Sequence, residues 1–399
     1  MAAVPDQSAV GGFVQPGFEP VRDAFLRVLN TRGELGAAVA AVVDGRQVVD
    51  LWGGAADPGR TRAWGEDTLV LCFSATKGMA AAAVAVAVSR GWLELDAPVA
   101  AYWPQFAQAG KGSITVRQLL AHQAGLPAVD LRLDAAVIAD WERMTDALAA
   151  QAPAWPPGTR HGYHSVTLGF YESELIRRVD PGGRRLGTFF RDEVAAPLRV
   201  EFHIGLPPSV PASRVAEVAG WPAWRMALHL RALPSALIAA YALPRSLTAR
   251  SLGNPRLAGP AQMDRPEYRA VEFPAATGVG SARALATVYG DLAIGGKRLG
   301  LDAATFAALT APPTPPTRGV RDLVLHVDTR YATGFWRPFP AFEFGSPRAF
   351  GTPGAGGAMG FADPDRALGY GFVTNRMGFS IWDDPRELTV RRALLNCLA

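Results

Sequence analysis

The sequence predicts an α/β fold in which strands from both chain ends form one sheet and a mostly helical domain is inserted between them. Three observations predict it: a hairpin signal near the N-terminus, an apolar strand near the C-terminus, and a long run of helical patterning between the two. In the hairpin, Ala37 to Val43 is rich in alanine and valine, Asp44-Gly45 is a tight-turn signal, and Gln47 to Trp52 is the return strand. The late strand is Ala367 to Thr374, apolar enough for the middle of a core. The expected division is an α/β domain from residues 1–75 and 265–399, with an antiparallel sheet, and a helical domain from residues 76–264. The active site is expected between them.

Met79 to Gly91 has no proline and no interior glycine and is dominated by alanine, the best helix former, so a buried helix is expected, with Gly91 as its C-cap. Thr115 to His122 reads as a second helix with Thr115 as N-cap. Ala135 to Ala150, Val166 to Val179 and Leu186 to Val194 follow as helices, with a turn at Trp155 to Thr159. Beyond them come a helix over Ala282 to Gly295, a proline-rich loop over Ala311 to Arg318, and a strand over Thr333 to Trp336. An amphipathic helix over Pro385 to Leu398, with Leu388, Val390, Leu394 and Leu395 apolar, closes the chain.

Composition narrows the function classes. In 399 residues, 49% are hydrophobic and 19% charged, the balance of a chain that buries a large core. The 40 basic and 36 acidic side chains nearly cancel, and no Lys/Arg run tracks a phosphate backbone, so no nucleic-acid partner is expected. Two cysteines do not make a disulfide framework; Cys72 sits in the apolar run Leu69 to Phe73 and reads as a small buried hydrophobe. The first residues show no basic or long apolar export signal, and no apolar run reaches about 18 residues, so a cytoplasmic protein without a membrane span is expected.

Three motifs carry chemistry. Ser74 and Lys77 stand three apart at a helix start and so share a face. A serine hydroxyl needs a base to become a nucleophile. A lysine serves as that base when desolvation and nearby positive potential lower its pKa. The helix N-terminus adds positive potential that favours an oxyanion. An apolar strand-like run precedes the serine and an all-apolar helix follows, a setting that a surface lysine does not explain. The second motif is Tyr163-His164-Ser165. A phenol beside an ammonium shuttles protons, Ser165 is suited to bond the lysine or substrate, and His164 lies between two site residues. The third is the stretch Gly351 to Phe361, in which five of eleven residues are glycine, allowing backbone to approach a ligand closely. No helix pattern opens after it, which disfavours a phosphate loop.

With these motifs in this order, the chain resembles the serine β-lactamase and penicillin-binding-protein superfamily, and within it the class C β-lactamase-like esterases, the family VIII carboxylesterases. The resemblance runs from about residue 20 to 395. Leu119 to Leu126 matches the family's Leu-Leu-x-His-x-x-Gly-Leu run; Pro157-Gly158-Thr159 and Pro197-Leu198 match as well. It implies a β-lactamase/transpeptidase-like fold, with Ser74 as acylated nucleophile, Lys77 as general base and Tyr163 as acid/base. The backbone N–H groups of Ser74 and Ala355 would form the oxyanion hole. Ser165, His164, Thr352, Gly354 and Gly356 would contact a small-molecule acyl substrate. No metal or organic cofactor is implied.

Thr352 stands where relatives carry lysine, histidine or tryptophan, and it has no charge to hold a substrate carboxylate. Cleavage of carboxylic esters through an acyl-enzyme is therefore the leading expectation. Acyl transfer on the same site is the second, with an apolar wall of Trp221, Trp224, Leu228, Leu230, Leu237 and Tyr241 to exclude water. β-Lactamase or D,D-peptidase activity, and a non-catalytic binding role, are the remaining alternatives.

Overall fold

A computed structural model describes residues 10–31, 33–221, 229 and 232–399. Its main element is an eight-stranded antiparallel sheet. The strands are β1 (Val10–Val14), β2 (Gly36–Val43), β3 (Arg46–Gly54), β7 (Tyr331–Ala332), β8 (Phe335–Trp336), β9 (Phe350–Pro353), β10 (Met359–Asp363) and β11 (Leu368–Thr374), in the order β1-β3-β2-β11-β10-β9-β8-β7. Both chain ends thus build one sheet, and two of the strands read from sequence, β2 and β11, are neighbours at its centre. A second, three-stranded sheet pairs β4 (Val70–Leu71) and β5 (Phe202–Ile204) with β6 (Gly278–Gly280) between them.

Strand alternation divides the core in two. Ala37, Val39 and Ala41 of β2 and Leu368, Tyr370 and Phe372 of β11 face α1 (Glu19–Thr31) and the C-terminal helix α5 (Pro385–Cys397). Ala40 and Val42 face the opposite layer with Val373, where α4 (Ala282–Ala293) crosses and α2 (Thr76–Ser89) lies behind. Gly369 and Gly371 let α4 press onto β11: a Cβ on Gly369 would sit 2.0 Å from the Gly290 nitrogen. With all seven residues buried, β11 is a core strand.

Several details depart from the sequence reading. The expected helix over Ala135 to Ala150 is two helices, Ala135–Ala139 and Trp141–Ala150. The break is at Asp140, whose carboxylate accepts the Arg143 N–H and caps the second. The expected strand over Thr333 to Trp336 is a tight hairpin, β7 and β8, turning at Thr333 and Gly334, both at positive φ. In α5, Leu388 and Leu395 are only half-buried, while Arg386, Glu387 and Arg391 are buried. Thr115 caps Val116–Leu120 in a full capping box with Gln118, as its position predicted. Among the described residues no helix is long and apolar enough to cross a membrane.

Candidate active site

From Thr68 to Ala87 every residue is buried except Ser74. The exposure has a local cause. Strand β4 ends at Cys72, whose N–H donates to the Gly278 carbonyl. Phe73 then adopts φ +48, a left-handed conformation that costs a bulky residue about 1–3 kcal/mol. This sharp turn lifts Ser74 out of the strand line and feeds directly into α2. Thr76 fastens it: its hydroxyl donates to the Phe73 carbonyl at 2.5 Å and accepts the Gly278 N–H at 2.9 Å.

One helical turn on, Lys77 is 1% exposed. Its Nζ donates to Ser74 Oγ at 3.1 Å and to the Ala275 carbonyl at 2.8 Å. Burial pushes the amine down to about 7, against an opposing pull from the Glu172 carboxyl. At neutral pH a substantial share of Lys77 is therefore free base, able to accept the Ser74 proton.

Tyr163 enters from the segment before α3 (Thr167–Val179). Its hydroxyl neighbours Ser74, whose influence lowers the phenol's pKa, and Lys77 Nζ stands 5.0 Å from its ring centroid. Trp336 packs edge-on against the phenol at 5.3 Å, and Tyr331 and His122 close its other sides. Burial in this aromatic box raises the phenol's pKa, with the Ser74 contact opposing. Tyr163 is thus held protonated, while burial favours the free amine of Lys77.

Opposite the serine, β9 runs into a turn at Ala355–Gly357. Gly354 lies flat on the Ser74 turn: a Cβ there would be 2.4 Å from the Cys72 carbonyl oxygen and 3.2 Å from the Ala75 nitrogen. This close approach brings the next peptide, bearing the Ala355 N–H, to the serine. Ser74 and Ala355 each sit in the first turn of a short helix, where N–H groups lack an intrahelical acceptor. Arg386 of α5 holds the turn from behind, donating to the Gly356 carbonyl at 2.7 Å and to Glu34 Oε2 at 2.9 Å, with Asp384 on its other edge. Asp384 also lines a small hollow at this turn, with Pro353, Gly357 and Trp382.

The structure brings Ser74, Lys77, Tyr163 and Gly354 together, with half-buried Ser165 two residues past the phenol. Two expected substrate contacts lie elsewhere. His164 is fully buried; its Nε2 accepts the Leu126 N–H, its Nδ1 donates to the Gly162 carbonyl, and its pKa is pushed down to about 3, chiefly by burial. It braces the loop and offers no atom to a substrate. Thr352 is also fully buried and points between Gly78 and Tyr289, where neither hydroxyl completes a well-formed hydrogen bond. Gly356, buried at φ +88, contributes its carbonyl to Arg386. Of the expected apolar wall, Trp221 stacks on Phe379, Leu237 is buried and Tyr241 is exposed, while Trp224, Leu228 and Leu230 lie outside the described residues.

Sequence reasoning missed Glu172, Arg386 and Trp336. Two of them left a signal. Glu172 interrupts the apolar stripe of Leu168, Leu175 and Ile176, and Arg386 is a cation at a helix start, where the dipole disfavours one.

The profile of the Beta-lactamase family matches residues 21–392. The chain belongs to the beta-lactamase family. Among curated relatives of this family member, "Esterase/beta-lactamase LipL" of Mycobacterium tuberculosis is 34% identical over 370 residues, 92% of this chain and 83% of its own. Among solved structures, a family VIII carboxylesterase superposes with TM-score 0.86 at 37% identity, over 98% of this chain and 100% of the other. A penicillin-binding protein homolog from Caulobacter crescentus gives 0.83 at 38% identity, over 98% and 100%. The β-lactamase-like fold and the serine-hydrolase class expected from the motifs are those of the family.

Proposed function

We propose that this enzyme hydrolyses carboxylic esters through an acyl-enzyme on Ser74. The observation that carries the reading is a buried lysine amine 3.1 Å from the one partly exposed side chain of the site turn. Free-base Lys77 takes the hydroxyl proton as Ser74 Oγ attacks the ester carbonyl. The oxyanion is held by the Ser74 and Ala355 N–H groups. The C–O bond to the alcohol breaks, and the leaving oxygen takes a proton from Tyr163, which is re-protonated by Lys77. Water, deprotonated by the same amine, attacks the acyl-enzyme and releases the acid. The names of the relatives, an esterase/β-lactamase and a carboxylesterase, support an acyl substrate. Thr352, uncharged and turned away, supplies no clamp for a carboxylate, which favours esters over penicillins.

The proposal includes a seam: residues 1–75 and 265–399 as the sheet-bearing unit, 76–264 as the helical one, with Ser74 near the junction. Cytoplasmic placement belongs to it as well, supported by two unpaired cysteines, Cys72 buried and Cys397 free. Acyl transfer to an alcohol or amine is the second reading. It is favoured by the Trp221–Phe379 stack next to Met377, which packs on Gly356 and makes an apolar flank beside the oxyanion turn.

A fluorophosphonate probe tests the nucleophile. Labelling is expected at Ser74 and is expected to vanish in Ser74→Ala; labelling that persists in the folded variant sinks the assignment. p-Nitrophenyl esters should be turned over and nitrocefin poorly; the reverse ranking overturns the ester reading. The rate of the ester reaction, as kcat/KM, should rise with pH through about 7, because protonated Lys77 cannot accept the proton. Raised by burial, Tyr163 causes no matching fall at mildly basic pH.

A further inference from the structure

The Glu172 side chain sits in the middle of α3, 0% exposed, and neither carboxyl oxygen has a hydrogen-bond partner among the described residues. Burying a carboxyl with no donor is costly, and such a group persists where something else uses it. Its place is informative. A Cβ on Gly334, in the β7–β8 turn, would lie 3.2 Å from Glu172 Oε1 and 2.7 Å from the Ala81 Cβ. Glu172 therefore touches the level of Ala81, four residues after Lys77 and on the same face of α2. It stands one helical turn past the lysine, on the side away from Ser74, at the turn of the hairpin that also carries Trp336 to the phenol.

The surroundings leave Lys77 as its electrostatic partner. From the β7–β8 turn it meets Gly334; from α2 it meets the level of Ala81 and the field of Lys77. Glu174, on the same helix, is committed to Arg177, Arg178 and the Trp141 indole. His122 and Tyr163 also face the lysine, but burial holds the imidazole neutral and the phenol protonated.

We propose that Glu172 is the buried acidic partner of Lys77 and sets the pH at which the lysine amine is freed to take the Ser74 proton. This deepens the proposed function and rests on Ser74 and Lys77 acting as stated there. Burial pushes the Glu172 carboxyl well above its usual range and the Lys77 amine down, and against both shifts each group favours the other's charged form, so protonation of one depends on protonation of the other. With the carboxylate present the lysine holds its proton to higher pH; with an amide in its place the free base appears at lower pH. Glu172 is a positioning residue in this scheme: it touches neither substrate nor serine.

The test is the pH dependence of fluorophosphonate labelling in the full chain. Wild type should show a rising limb centred near 7. Glu172→Gln should move that midpoint down by about half a unit or more, and Glu172→Asp, which keeps the charge, should restore it. A folded Glu172→Gln protein with an unmoved midpoint overturns the proposal, whatever its melting temperature does. Should Glu172→Gln not fold, pH-resolved infrared spectra of ¹³C-glutamate protein decide. The buried carboxyl should protonate at higher pH in Lys77→Met than in wild type, and identical titrations overturn the proposal. A Ser74→Ala arm keeps the two readings apart. Labelling that survives it removes the Ser74 assignment, whereas lost labelling with an unmoved Glu172→Gln midpoint removes the role of Glu172 alone.

Discussion

Replacing Lys77 with methionine is expected to lower the rate of Ser74 acylation on the order of 10³-fold and to abolish the rise of that rate through neutral pH. The amine lies 3.1 Å from the hydroxyl and is the group in the site that burial drives toward its free base. The phenol is driven the other way. Lys77→Arg separates a base from a mere charge. A guanidinium keeps the positive field but does not deprotonate in proteins, so it is expected to lose about as much activity as methionine. Stopped-flow acylation with a p-nitrophenyl ester checks both variants, with circular dichroism to show they are folded. An arginine variant within about tenfold of wild type would mean that the lysine acts through its charge and that the base is elsewhere.

Gly354→Ala is expected to reduce kcat on the order of 10²-fold or more, with a smaller change in KM. The new methyl would fall 2.4 Å from the Cys72 carbonyl oxygen, a backbone atom at the root of the Ser74 turn, with the Ala358 Cβ at 3.1 Å and the Ala75 nitrogen at 3.2 Å. No side chain there can swing aside, so the β9 turn must lift away and carry the Ala355 N–H with it. An oxyanion donor acts on charge that develops in the transition state, which is why the loss belongs in kcat. Steady-state kinetics on Gly354→Ala checks this, and an unchanged kcat would mean that Ala355 contributes no donor to the oxyanion. Melting temperature should also fall, because one face of the turn can no longer close.

These two residues also mark how far sequence alone reaches. Ser74, Lys77 and Tyr163 were legible because their chemistry is written in short spacings: three residues on a helix, and a phenol just ahead of another helix. The hairpin of β2 and β3 was legible because Asp44-Gly45 dictates its own turn, and β11 because it is apolar throughout. What stayed hidden depends on orientation or on long-range partners. His164 and Thr352 have suitable chemistry at suitable positions, yet one spends both nitrogens on backbone and the other alternates to the inner face of its strand. Thr333 to Trp336 has strand composition, but a left-handed threonine before Gly334 folds it back on itself. Strand β1 and helix α1 carry no signal as strong as the central hairpin, and they are defined by packing on β3 and α5.

The guanidinium of Arg386 ties three remote stretches into one knot: Glu34 before the first central strand, the Gly356 carbonyl in the catalytic turn, and Asp384 at the head of the last helix. A chain still emerging from the ribosome has its serine, amine and phenol long before it has this cation. Competence is therefore expected only once the segment bearing Arg386 has been made and has closed on this turn. By the same logic, Arg386→Ala is expected to lower activity although it alters none of the groups proposed to react.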